Sequence, residues 1–152
     1  MRALGWAILF GVLVALGYLG ARYLATPART TVPIEVASGC DLSEEGCIHE
    51  LPDGGTMVLE LRPRPIPLMT SVDVEVRVTG SETVPLRLDI TGLNMRMAPN
   101  VVTFSSVAKG VWRGETIFPV CSQRRMHWQA ALTLRNGRQL WLVKDEFYTT
   151  RP

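Results

Sequence analysis

Between Ala3 and Gly20 the chain carries no charged residue: ALGWAILFGVLVALGYLG is eighteen consecutive uncharged, mostly apolar positions. As a helix rising about 1.5 Å per residue, such a run covers roughly 27 Å, close to the hydrocarbon thickness of a bilayer. Backbone polar groups in lipid must bond within their own segment, so the run is expected to form one transmembrane helix. Trp6 near one end, with Tyr18 and Tyr23 near the other, suits the two interfaces. A cleaved signal peptide would have a shorter apolar region followed by a small-x-small site. Here a cut after Ala25 would put Tyr23 at the −3 position, and a cut after Ala28 would leave Pro27 at −2. An uncleaved anchor is therefore expected. Ala37-Ser38-Gly39-Cys40 has the look of a lipobox, but Arg22, Arg29 and Glu35 separate it from the apolar run, so no lipid attachment is expected there.

This feature divides the chain into an anchor over residues 1–25, a Thr- and Pro-rich linker over 26–39 and an exported domain over 40–152. Three of the sixteen basic residues, Arg2, Arg22 and Arg29, flank the apolar run, while all fourteen acidic residues follow it. The rest of the chain is thus close to neutral. It lacks the surplus of Lys and Arg that displaces counterions from a phosphate backbone, so a nucleic-acid partner is not expected. The three cysteines all follow the apolar run, which fits an oxidising compartment.

After the linker, apolar residues alternate with charged ones. Val72, Val74, Val76 and Val78 are interleaved with Asp73, Glu75 and Arg77, and Leu86, Leu88 and Ile90 with Arg87 and Asp89. A period of two buries one face of a strand and wets the other. Further strands are expected over 56–61, 101–105, 111–118, 126–134 and 140–143. Asn136-Gly137 marks a hairpin between the last two, because both residues tolerate positive φ. Pro63, Pro65 and Pro67 separate the first strand from the second. About seven short strands without an amphipathic helix predict an all-β, immunoglobulin-like antiparallel β-sandwich behind one N-terminal transmembrane helix.

No nucleophile elbow, phosphate loop, dinucleotide fingerprint or histidine-rich metal motif occurs, and the only histidines are His49 and His127. An enzyme is not expected. Soft donors stand out instead. Met95 and Met97 follow the strand ending at Ile90, and Cys121 precedes Met126 and His127 by a few residues. Two methionines one residue apart on an extended segment project to the same side. Thioether, thiolate and imidazole form the donor set that selects Cu(I). Loops cluster at the ends of a sandwich, so Met95, Met97, Cys121, Met126 and His127 could meet. Against this, methionine commonly fills irregular core gaps, and His127, between Met126 and Trp128 on a strand, could face solvent. A Cys40–Cys47 disulfide leaving Cys121 free is the preferred pairing; Cys121 bonded to either of the others is the alternative.

The order Cys40…Cys47, Leu51-Pro52-Asp53-Gly54-Gly55, Arg62-Pro63-Arg64-Pro65-Ile66-Pro67, Met95-x-Met97, Gly114, Pro119-Val120-Cys121 and Met126-x-Trp128-x-Ala130 resembles a family of small proteobacterial single-pass membrane proteins. These are similar in layout to FixH-type and YtkA-like proteins, and the resemblance covers roughly residues 40 to 130. The chain departs from the family pattern at Ala98-Pro99, where a glycine often stands, and at Arg124-Arg125. The resemblance implies an inner-membrane protein with its domain in the periplasm. It also implies an accessory role in copper handling or respiratory oxidase assembly, beside a Sco-type copper chaperone or a cytochrome oxidase subunit. A metal-free interaction module docking on a membrane complex is the other expectation.

Overall fold

The alternation that runs through Val72, Val74, Val76 and Val78 becomes strand β4 (Ser71–Thr79), with all four valines buried and their neighbours turned outward. The same period recurs in several further strands of a computed structural model that describes residues 11–18, 20 and 32–151. Ten strands are seen among them: β1 (Ile34–Asp41), β2 (Cys47–Glu50), β3 (Thr56–Arg62), β4, β5 (Val84–Gly92), β6 (Asn100–Thr103), β7 (Ser105–Ala108), β8 (Val111–Ile117), β9 (Arg125–Asn136) and β10 (Gln139–Thr150). They form two five-stranded sheets, one in the order β1-β10-β9-β5-β6 and the other β2-β3-β4-β8-β7. The domain is all-β, as the alternation predicts. All pairings are antiparallel except β1 with β10.

The two inner faces close on a core of Leu59, Leu61 and the β4 valines from one sheet and Leu88, Ile90, Leu132 and Leu134 from the other. Phe118, Trp128 and Phe147 fill one end, their ring centroids 5.3–6.1 Å apart. Gly114 is required where the chain changes sheets. A Cβ there would lie 2.5 Å from both the Thr103 carbonyl oxygen and a Val102 methyl, so β8 passes under the β6–β7 junction only as glycine.

Four expectations are corrected. Residues 34–39, read as linker, belong to β1; its parallel pairing on β10 rests on backbone bonds, and its mostly exposed side chains leave no alternation to read. The strand read over 101–105 is two short strands, β6 and β7, in different sheets. The strand read over 140–143 runs to Thr150. The hairpin loop is Gly137-Arg138, since Asn136 still pairs with Gln139; Gly137 takes the positive φ of 54°.

The chain divides into two units, Met1–Thr31 and Val32–Pro152. In the first, residues 11–18 and 20 are helical and exposed. Among the described residues no helix is long and apolar enough to cross a membrane. The remainder of the span expected over 3–20 lies outside the described residues.

Candidate functional site

β5 and β9 are paired so that Gly92 lies opposite Trp128, which brings the loop after β5 against the beginning of β9. Asn94 holds it there. Its side-chain amide donates to the Arg125 carbonyl at 2.9 Å, and its Oδ1 accepts from the His127 backbone N–H at 3.1 Å. The Leu93 N–H donates to the His127 carbonyl at 2.8 Å. Asn94 thus acts as one more rung of the ladder, fixing where the next residues leave the sheet.

Those residues are Met95 and Met97. A Cβ built at Gly92 would stand 3.2 Å from the Met97 sulfur, 3.1 Å from the Met126 methyl and 2.7 Å from the Met95 carbonyl oxygen. Two thioether side chains therefore close on one point, over the bare backbone of a glycine. The Met95 sulfur accepts a hydrogen bond from Ser122 Oγ at 3.4 Å, which ties it to the loop between β8 and β9. Cys121, beside Ser122, is a free thiol, 8% exposed, and its Sγ donates to the Pro119 carbonyl at 3.7 Å. Met126 is 2% exposed, whereas Met95 and Met97 are half-buried. The set is partly core and partly rim.

His127 is not part of this cluster. Successive side chains of a strand point to opposite faces. Met126 turns inward, and His127 lies on the other face, its Nε2 2.6 Å from Glu146 Oε2 and its ring stacked 4.5 Å from Tyr148. The guanidinium of Arg125 covers the same tyrosine at 4.1 Å. An open cleft bordered by Ile66, Leu68, Val120, Arg125, Tyr148 and Arg151 lies beside this face.

The cysteines pair as preferred: Cys40 and Cys47 form a disulfide that joins the end of β1 to the start of β2, and so one sheet to the other. Behind it lies a group the sequence reading passed over. Asp145 is fully buried, and His49 Nε2 lies 3.0 and 2.9 Å from its two carboxylate oxygens. The Cys40 N–H also donates to Asp145 Oδ1 at 3.3 Å. One signal could have found it: Asp145 falls in step with Trp141, Val143 and Phe147, the inward row of β10. The run Lys144-Asp145-Glu146 reads instead as the end of a strand.

No protein-family model matches the chain, and neither a curated protein nor a solved structure matches it. Its molecular class therefore rests on its own geometry: a two-sheet β-sandwich with a methionine cluster at one end and a buried His–Asp pair beneath a disulfide.

Proposed function

We propose that this chain is an inner-membrane accessory protein whose periplasmic sandwich holds Cu(I) for copper handling or respiratory oxidase assembly. The observation that carries the reading is the convergence of the Met97 and Met126 side chains on Gly92, with the Met95 sulfur bonded to the neighbouring loop. Thioethers are soft, uncharged donors that favour Cu(I) over harder ions. Met95, Met97 and Met126 are the ligand set, with Cys121 in the adjoining loop as a further sulfur. His127 is left out because it is engaged with Glu146 and Tyr148 on the other face. Half-exposed methionines suit transfer by ligand exchange to a Sco-type chaperone or an oxidase subunit.

The membrane anchor is supported by the uncharged run from Ala3 to Gly20 and by its helical portion, which exposes Val12, Leu13, Val14, Leu16 and Tyr18. A helix that is apolar all round suits lipid better than water. Within the sandwich, β1 starts at the Trp141 end of β10, whereas the methionine loop meets β9 at the end that pairs with Thr149 and Thr150. The cluster thus lies at the end away from where the chain enters. The strand order supports an immunoglobulin-like arrangement: β3-β4-β8-β7 corresponds to an A-B-E-D sheet, and β10-β9-β5-β6 to a G-F-C-C′ sheet.

The test is a Cu(I) titration of the full chain in detergent, with Cys40–Cys47 kept oxidised and ascorbate holding the copper as Cu(I), against a chromophoric competing chelator. One equivalent bound tightly by the natural sequence, and lost when Met95 and Met97 are both changed to Leu, is the expected result. That change nearly conserves volume and so spares packing. A folded chain that takes no Cu(I) would leave the metal-free interaction module, which the exposed Met69, Ile117 and Val120 favour.

A further inference from the structure

β2 buries alternate residues, so Cys47 and His49 both point inward, toward the sheet that contains Asp145. Cys40 reaches the same place from β1. Among the described residues, the Cys40 and Cys47 sulfurs and an Asp145 carboxylate oxygen all lie within 4.8 Å of one another. His49 Nε2 is 2.9 Å from that carboxylate. Three donor atoms, two of sulfur and one of oxygen, thus already meet, and the His49 nitrogen, bonded to the same carboxylate, is the nearest fourth. In the oxidised protein the sulfurs are spent on each other.

We propose that reduction of Cys40–Cys47 converts this clasp into a closed zinc site, with Cys40, Cys47, His49 and Asp145 as its ligands. Two electrons and two protons from a dithiol donor open the disulfide to two thiols, the donor leaving as its own disulfide. Zn²⁺ then displaces both thiol protons and takes up the His49 Nε2 lone pair and one Asp145 oxygen.

The donor set and the spacing both point to zinc. Zinc bonds of about 2.0–2.3 Å in a tetrahedron put ligand atoms roughly 3.3–3.8 Å apart. The His49–Asp145 separation needs to widen by only a few tenths of an ångström. The His49 ring must also close on the sulfurs, since it lies outside the set of three that are mutually within 4.8 Å. The two sulfurs must part from bonding distance to contact distance, and the backbone beside Cys40 allows it. β1 loses register with β10 between Ser38 and Asp41, and Gly39 sits there at φ 91°, so Cys40 is not fixed in the strand ladder. A carboxylate and an imidazole beside two thiolates suit Zn²⁺, whereas Cu(I) favours sulfur donors. Burial of Cys47, His49 and Asp145 leaves no room for a substrate, so the site is structural: it would keep the two sheets joined when the disulfide is open.

The experiment uses the full chain in detergent, reduced with a phosphine, and Co²⁺ as a spectroscopic stand-in for Zn²⁺. The reduced chain should take up one Co²⁺ with intense tetrahedral d–d bands and a thiolate-to-metal charge-transfer band, and Zn²⁺ should bleach both. The oxidised chain should show neither. Cys47→Ser should lose the charge-transfer band, and His49→Gln should weaken Co²⁺ uptake. The Met95 and Met97 double variant should bind as the natural chain does, which separates this site from the copper cluster. A reduced chain with its near-UV circular dichroism intact and no tetrahedral Co²⁺ spectrum would overturn the proposal. So would uptake indifferent to both Cys47→Ser and His49→Gln, or a reduced chain that unfolds and is not restored by Zn²⁺.

Discussion

At Gly92 the φ angle is unexceptional, and its value lies in the missing side chain. Any Cβ would press on the Met95 carbonyl at 2.7 Å and wedge between Met97 and Met126. Gly92→Ala is therefore expected to cost about 1–3 kcal/mol, as overpacking does. It should also weaken Cu(I) binding by displacing two of the thioethers, measurable by denaturant melting and chelator competition on the same preparation. Trp128 is a second position where one contact decides the outcome. Its indole N–H donates to Thr149 Oγ1 at 2.9 Å, and both residues are almost wholly buried. Thr149→Val keeps the shape and leaves the N–H unpaired, so a loss of about 1–3 kcal/mol is expected. Leu in place of Trp128 would test packing; the Thr149 change isolates the hydrogen bond.

Among the elements, β1 and β2 depend most on a covalent tie. β2 has four residues and β1 is a parallel edge with exposed side chains, so neither brings much apolar surface to the core. The Cys40–Cys47 link spans a sequence separation of 7 and fastens each strand to the other across the sheets. Changing both cysteines to Ser should cost about 2 kcal/mol by the loop-entropy account. Amide exchange should rise first in Ile34–Glu50 and much less in β4, β5, β8 and β9, where the core residues lie. Uniform loss of protection across all ten strands would show instead that the clasp stabilises the whole sandwich.

Across the whole domain, charge is arranged by register as well as by composition. Glu60 and Glu75 stand directly opposite each other on β3 and β4, a repulsive pairing taken alone. Arg77 reaches both carboxylates, Arg62 and Arg64 bond Glu60, and Arg113 from β8 bonds Glu75 at 2.7 Å. The Arg113 and Arg77 guanidiniums hold the Glu75 carboxyl below the ordinary glutamate value. A depressed folded value means that the stabilisation is present above the unfolded pKa of about 4.3 and fades as pH falls through the folded value. The guanidiniums are largely exposed, so its size is about 0.5 kcal/mol. Glu75→Gln should thus lower stability at pH 7 and approach the natural chain in acid, which denaturant melts across pH 3–7 would detect. Equal losses at both ends of that range would sink the electrostatic account.

Local patterning was enough to reveal the all-β class, because alternation along β4 and β5 reflects one buried face per strand and β-rich runs mark β3, β8 and β9. It also exposed the anchor-like run and the soft-donor residues, since charge and ligand chemistry are properties of side chains themselves. β1 escaped it because an edge strand held by backbone bonds imposes no side-chain rule. The disulfide was legible in the cysteine spacing, but the His49–Asp145 pair beneath it escaped, because its residues stand 96 positions apart and meet only after the sheets fold over each other. Likewise the sequence brought Met95, Met97, Met126 and His127 into consideration together. Tertiary structure separated His127 from them, because a strand turns adjacent side chains to opposite faces and the partner of His127, Glu146, stands on the outer one.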